Sequence, residues 1–249
     1  MYEKIANYYD ELGWSEHSAK EFDIVNNILM EHNIVPEKVC DLGCGTGELI
    51  KLLAEVHDDA SFVGIDISKD MIEVAKKKCK KINECVLVTG DIRSYKLEKR
   101  ANLITCMYDT INHLLNIGHW DATFKSAYEA LKFGGVFILD FVPNGYLPKW
   151  DGEYVREEEA GTLVRTIRYD KETNMLTTYI NAFVKSGFMG TFKNVTGEVT
   201  ETSFNVKDVI KMLKAAGFKK IVMYNEDFKK IRSKRKANNI ERLYLACLK

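Results

Sequence analysis

The stretch Val39-Cys40-Asp41-Leu42-Gly43-Cys44-Gly45-Thr46-Gly47-Glu48-Leu49 constrains this chain more than any other. An apolar strand runs into a glycine-rich turn, and a helix opens directly after it. Glycine tolerates positive φ and lets a backbone approach a ligand closely. The helix start presents N–H groups that have no partner within the helix. Turns that hold a dinucleotide pyrophosphate use the spacing G-x-G-x-x-G. Here the spacing is G-x-G-x-G, with Asp41 just before the loop and Glu48 just after the third glycine. Acids at those places suit a ligand with an ammonium group and no phosphate.

The rest of the chain predicts the sheet that such a loop needs. Strands are expected at Lys38–Asp41, Ser61–Asp66, Cys85–Thr89, Leu103–Tyr108 and Val136–Phe141. Helices are expected at Glu16–His32, Glu48–Val56, Lys69–Cys79 and Trp120–Leu131. Strand and helix alternate, which argues for a doubly wound, mostly parallel sheet. After Pro143 the texture changes. Tyr154–Glu159, Thr162–Tyr169, Met175–Lys185 and Thr191–Thr202 are rich in Val, Thr, Tyr and Phe and read as an inserted antiparallel meander. A helix at Val206–Ala216, capped by Gly217, precedes two more strands, Phe218–Tyr224 and Ile240–Leu248. The expected fold is α/β: a seven-stranded sheet domain from 1–142 and 203–249, with 143–202 inserted.

Acids recur at the ends of the expected strands. Asp66 lies 19 positions beyond Gly47, where a carboxylate can accept both hydroxyls of a ribose. Gly90-Asp91-Ile92 ends the third strand, placing Asp91 to reach an adenine amino group and Ile92 to pack on its ring. In this ordered set the chain resembles the class I S-adenosylmethionine (SAM)-dependent methyltransferase family. The segments that carry the resemblance are VCDLGCGTGEL, GIDIS with Met71 following, GDI and LKFGGVFILD. They imply a Rossmann-like domain holding SAM, without a metal, through Asp41, Gly43, Gly45, Gly47, Asp66, Asp91 and Ile92. Cys44, Ile67, Met71 and Met107 join them as cofactor contacts. Tyr8-Tyr9-Asp10 is similar to the Y-D signature of a subset that includes bacterial sugar N,N-dimethyltransferases and, more distantly, glycine N-methyltransferase. That likeness implies an N-terminal segment folded over the cofactor, with Tyr9 near the reacting methyl. Ordinary packing of a terminal segment is the alternative for both tyrosines.

The fourth strand runs into Asp109, Asn112 and His113, spaced i, i+3, i+4. On one face of a short helix, Asp109 and His113 would orient an amine or take its proton. The competing reading makes Asp109 a helix N-cap and His113 a satisfied histidine. Tyr146 and Trp150 either enter an acceptor pocket or anchor the insertion.

Composition narrows the partners. Lysine plus arginine and aspartate plus glutamate are both 36, so nothing global attracts nucleic acid. The basic run 229–236 reads as a solvated loop and Lys76–Lys81 as an exposed helix face and end. Six scattered cysteines without a C-x-x-C pair suit free thiols in a reducing compartment and no metal site. The N-terminus lacks signal-peptide regions, and no apolar run approaches membrane-spanning length, so the expected location is the cytoplasm. The expectation is a methyltransferase acting on a small molecule, with amine nitrogen supplied by the resemblance. An RNA-modifying enzyme and a non-catalytic SAM- or S-adenosylhomocysteine (SAH)-binding regulator stay open, as does a homodimer through the inserted sheet.

Overall fold

The protein is described by a computed structural model covering residues 2–186 and 191–249. Helices α1 (Tyr2–Ile5) and α2 (His17–His32) lead into β1 (Lys38–Leu42), α3 (Glu48–Val56), β2 (Ser61–Asp66), α4 (Lys69–Lys78) and β3 (Cys85–Thr89). Then come β4 (Ala101–Cys106), α5 (Ile117–Ala130) and β5 (Leu131–Phe141). The insertion supplies β6 (Gly152–Glu158), β7 (Gly161–Asp170), β8 (Met175–Ser186) and β9 (Thr191–Thr202). The chain closes with α6 (Val206–Ala216), β10 (Lys220–Tyr224), α7 (Lys234–Ala237) and β11 (Leu243–Leu248).

The main sheet has seven strands in the order β10-β11-β5-β4-β1-β2-β3. Strands β1 to β5 pair in parallel, and β11 runs antiparallel to both of its neighbours. Its central strands are buried on both faces, so alternate residues serve two cores. On β5, Phe137, Leu139 and Phe141 join the core covered by α5 and α6. Val136 and Ile138 join the opposite core, with Ile24 and Ile28 of α2 and Leu49, Ile50 and Leu53 of α3. Strand order reverses between β1 and β4, and the crevice at such a switch point is where open α/β sheets hold ligands.

Two strands were expected to start too early. Phe218 belongs to the end of α6: its N–H donates to Leu213 O at 3.2 Å, while Gly217 N–H donates to Lys214 O at 3.1 Å. These bonds satisfy terminal carbonyls of the helix, and β10 starts at Lys220. Strand β11 starts at Leu243, leaving Arg242 at its mouth.

The insertion forms a separate antiparallel sheet, β6-β7-β8-β9. Its inner face is apolar with a period of two. On β8, Leu176, Ile180, Ala182 and Val184 are buried, whereas Tyr179 and Phe183 are exposed. That face packs on the N-terminal segment. Leu163, Ile180, Ala182, Val184 and Val195 share one cluster with Ile5 and Leu12, flanked by Tyr8, Tyr9 and Trp14. Each fully buried leucine or isoleucine there contributes roughly 1.5–3 kcal/mol. One side chain clasps the two sheets together. Asn112 Nδ2 donates to Val142 O at 3.1 Å and Thr202 O at 2.8 Å, and Val142 N–H donates to Asn112 Oδ1 at 3.1 Å. Among the described residues, no helix is long and apolar enough to cross a membrane.

Candidate active site

The C-terminal ends of β1, β2, β3 and β4 open onto a cavity of about 360 Å³. The glycine loop forms its floor. Gly43 N–H and Cys44 N–H donate to Ile65 O at 2.7 and 3.1 Å, folding the loop over β2. A Cβ on Gly43, at φ +72°, would lie 2.3 Å from Thr110 Cγ2. At Gly45 a Cβ would meet nothing within 4 Å, so the bare backbone faces open space. Cys44 takes part through its backbone, because its Sγ turns under the loop toward Gly64. Gly47 differs from its expected role. It does not line the cavity, and a Cβ there, at φ +78°, would press on Cys79 Sγ at 3.0 Å and Ala75 Cβ at 3.2 Å. Its smallness lets α3 approach α4.

The acids lie where the sequence puts them. Asp41 is buried and accepts from Thr105 Oγ1 at 2.7 Å. Burial raises its carboxyl to about 7, with Asp66 pushing the same way against the Thr105 hydrogen bond. Asp66 accepts Gly45 N–H at 2.9 Å and Ser68 N–H at 2.8 Å, and burial holds its pKa above the ordinary value. Asp91 lines the same cavity, but Arg93 grips it, donating from its backbone N–H and from Nε at 2.9 Å. Arg93 holds the Asp91 carboxyl below its usual range. Arg93 contacts both Asp91 oxygens, through its backbone N–H, Nε and Nη2, so an amino donor there would displace part of that grip. Ile67, Met71, Ile92 and Met107 add apolar walls.

A second cavity, about 430 Å³, adjoins the first. Tyr9, Trp14, Glu21, Tyr108, His113 and Val199 line both. Tyr9 stacks on Trp14 with centroids 5.2 Å apart. Tyr108 and Asp109 both adopt left-handed backbone, at φ +58° and +48°. Such strain costs on the order of 1–3 kcal/mol per residue and gathers at functional sites. Asp109 sits at the N-cap position of the helical turn Thr110–His113, yet its side chain makes no cap hydrogen bond. The capping reading is therefore corrected. Its Oδ1 accepts from Arg242 Nη1 at 2.8 Å, and Arg242 also grips Asp140. Nor do the three residues of the i, i+3, i+4 set share one face, since Asn112 turns into the clasp between the sheets. Tyr146 and Trp150 do both things the sequence allowed. They line the second cavity and pack beside Leu147 and Ile167.

Glu201 on β9 completes the buried cluster. Its carboxyl acts electrostatically on Asp109, and its Oε1 lies 4.0 Å from His113 Nδ1. Burial, then Asp109, raises the Glu201 carboxyl well above its ordinary value. Burial also acts on Asp109, but Arg242 outweighs it and holds that carboxyl low. Desolvation lowers the His113 imidazole against the pull of Asp109 and Asp66. The sequence reading missed Glu21, Glu201 and Arg242, because no local motif marks them. Asp140 was visible inside LKFGGVFILD without an assigned role.

The N-terminal segment is latched to the glycine loop. Thr46 Oγ1 donates to Asp10 Oδ1 at 2.7 Å, and Lys78 Nζ lies 2.6 Å from both Asp10 Oδ2 and Glu48 Oε2. Lys78 is thus not part of an exposed helix face, as its lysine run suggested. Asp10 and Glu48 both serve this latch.

Comparison with known proteins agrees with this geometry. The family described as a methyltransferase domain matches residues 39–135. The chain is 24% identical over 173 residues to a dTDP-3-amino-3,6-dideoxy-alpha-D-glucopyranose N,N-dimethyltransferase of Streptomyces fradiae, covering 68% of this chain and 66% of that one. It therefore spans about two thirds of that relative's length. It is 28% identical over 221 residues to a carboxy-S-adenosyl-L-methionine synthase of Staphylococcus epidermidis, covering 88% and 83%. A crystal structure of a SAM-dependent methyltransferase from Clostridium acetobutylicum superposes with a TM-score of 0.82 at 25% identity, over 99% of this chain and 98% of that one. Fold and site define a SAM-dependent methyltransferase. Within that class the chain resembles the class I enzymes and, among them, the sugar N-methyltransferases.

Proposed function

We propose that the protein transfers the methyl group of SAM to the nitrogen of a small-molecule amine. The observation that carries this reading is the common wall of the two cavities, where Tyr9, Tyr108, His113 and Glu21 face both. The first cavity suits SAM. Gly45 offers bare backbone, Asp66 stands ready for ribose hydroxyls, Asp41 for the methionine ammonium, and Asp91 with Ile92 for adenine. Bound SAM supplies an electrophilic methyl on a sulfonium, open to in-line displacement.

The second cavity would take the acceptor, with residues 143–202 as its lid over the sheet domain of 1–142 and 203–249. Glu21, Asp109 and Glu201 line it together with Arg165 and Arg242, and with Asp109 paired to Arg242, Glu21 is the acid offered to a cationic acceptor. That sets the sugar-amine likeness above the likeness to the carboxy-SAM synthase, whose named product carries a carboxylate. The chain's own work is to position two reactants and exclude water, effects worth on the order of 7–11 kcal/mol together. Tyr9 and His113 border the meeting point and orient the nitrogen.

The test is calorimetric titration with SAM and SAH, with NAD and Asp66→Ala as controls. Micromolar binding of SAM or SAH, lost in the variant and absent for NAD, is expected. No binding of either would remove the cofactor assignment.

A further inference from the structure

Glu21 stands out among the buried charges. It lies on the second turn of α2, is 3% exposed, and borders both cavities. It makes no hydrogen bond and no ion pair with any described residue. The other buried acids of the cluster have partners: Asp109 and Asp140 in Arg242, Glu201 in His113, Asp41 in Thr105. A buried carboxylate without a donor is costly unless a ligand supplies one. The charges that act on it most are Asp140, Arg242, Asp109 and Asp41. Three of those four are acids, and Arg242 is already committed to two of them.

We propose that Glu21 receives the ammonium of the acceptor at the junction of the two cavities and takes its proton, so that the acceptor class is an aliphatic amine rather than an alcohol or a carboxylic acid. The inference rests on the amine-methyltransferase reading and adds the residue that pairs with the ammonium and takes its proton. An ammonium has no lone pair and cannot attack a methyl carbon. One N–H proton passes to a Glu21 carboxylate oxygen, which frees the nitrogen pair. That pair forms the N–C bond as the C–S bond breaks, and the bonding electrons stay on sulfur, leaving SAH. The product departs as a methylammonium, and the proton on Glu21 passes to water. Charge balances: two cations enter, and one cation, SAH and one proton leave.

Burial raises the Glu21 carboxyl well above its ordinary value, with Asp140 next in effect. A carboxyl so raised is a stronger base when ionised, which suits proton transfer near neutral pH. Tyr9 and Trp14 on one side and Val199 on the other supply apolar walls beside it. An ammonium there would be desolvated on its carbon side and paired on its nitrogen side.

The test uses three isosteric probes, cyclohexylammonium, cyclohexanol and cyclohexanecarboxylate. Each is titrated into the SAH complex of the full chain at neutral pH, with Glu21→Gln and Glu21→Asp beside the wild type. The ammonium is expected to bind at least tenfold tighter than the alcohol, and the carboxylate weakest. Glu21→Gln should lose about tenfold of ammonium binding and leave the alcohol unchanged, with Glu21→Asp retaining part of the preference. The readout is the ratio of ammonium to alcohol affinity within each variant, and SAH affinity, measured separately, reports any change in the cofactor cavity that Glu21 also borders. Equal binding of alcohol and ammonium, absence of ammonium binding, or an unchanged Glu21→Gln overturns the proposal. Failure of SAH to bind the wild type instead overturns the methyltransferase reading, and the two failures are read from different titrations.

Discussion

Replacing Asp41 tests how the cofactor cavity uses burial. Asp41 is 3% exposed, and burial lifts its carboxyl to about 7. If only the ionised form holds the methionine ammonium, apparent affinity scales with the ionised fraction. A pKa near 7 leaves roughly a tenth of Asp41 ionised at pH 6 and about half at pH 7. Affinity for SAM should therefore rise about fivefold across that single pH unit, and binding at pH 6 should release close to one proton. The ligand's own amino group titrates above this window, at about 7.7–8.0, and stays charged. The sign for stability is opposite. The folded chain keeps a proton that the unfolded chain gives up near pH 4, so stability without ligand falls as pH rises from about 4 to about 7. Calorimetry in two buffers of different ionisation enthalpy reads both affinity and proton release. Asp66 also titrates high, so Asp41→Asn serves as the discriminating control. The asparagine variant should bind SAM more weakly at pH 7 and lose the slope. A flat wild-type profile, or an unchanged slope in Asp41→Asn, would refute the reasoning.

Three further outcomes follow from the packing. Asn112→Ala strips partners from Val142 N–H, Val142 O and Thr202 O, and should cost about 2–4 kcal/mol in urea unfolding. Gly47→Ala places a methyl at φ +78° against Cys79 and Ala75; a loss of roughly 1–3 kcal/mol should appear as a lower Tm. Lys78→Met removes the cation that Asp10 and Glu48 share. It should speed limited proteolysis within residues 8–16 and weaken SAH binding several-fold, while the main sheet keeps its urea midpoint to within about 1 kcal/mol of stability.

Much of the cofactor side was legible because it is local. A strand, a glycine turn and a helix fit within nineteen residues, Lys38 to Val56, and the acids at strand ends sit at fixed offsets from glycines or apolar runs. The period-two and period-3.6 patterns fixed which stretches became β1 to β5 and the inserted meander. Glycine spacing separated an ammonium-bearing ligand from a pyrophosphate, and Tyr8-Tyr9-Asp10 marked the segment that lies over the loop. Where single residues misled, tertiary neighbours had intervened. Gly47 looked like a ligand-facing glycine but is small because α4 passes close by. Lys78 looked like one more exposed lysine until Asp10, from 68 positions away, closed on it.

The acceptor side was decided by tertiary structure alone. Arg242 meets Asp109 across 133 positions and Asp140 across 102, and Glu201 arrives at Asp109 on the last strand of the insertion. Glu21 comes from a helix whose sequence gives no sign of what its inner face will meet. A lone charged residue in an amphipathic element carries no local mark, because its partner is chosen by chain topology and not by spacing. Local sequence determined the loop, the sheet and the row of acids at its strand ends. The packing of the N-terminal segment and the inserted sheet over the strand ends brought the distant charges together, and excluded the water that would otherwise have kept them apart.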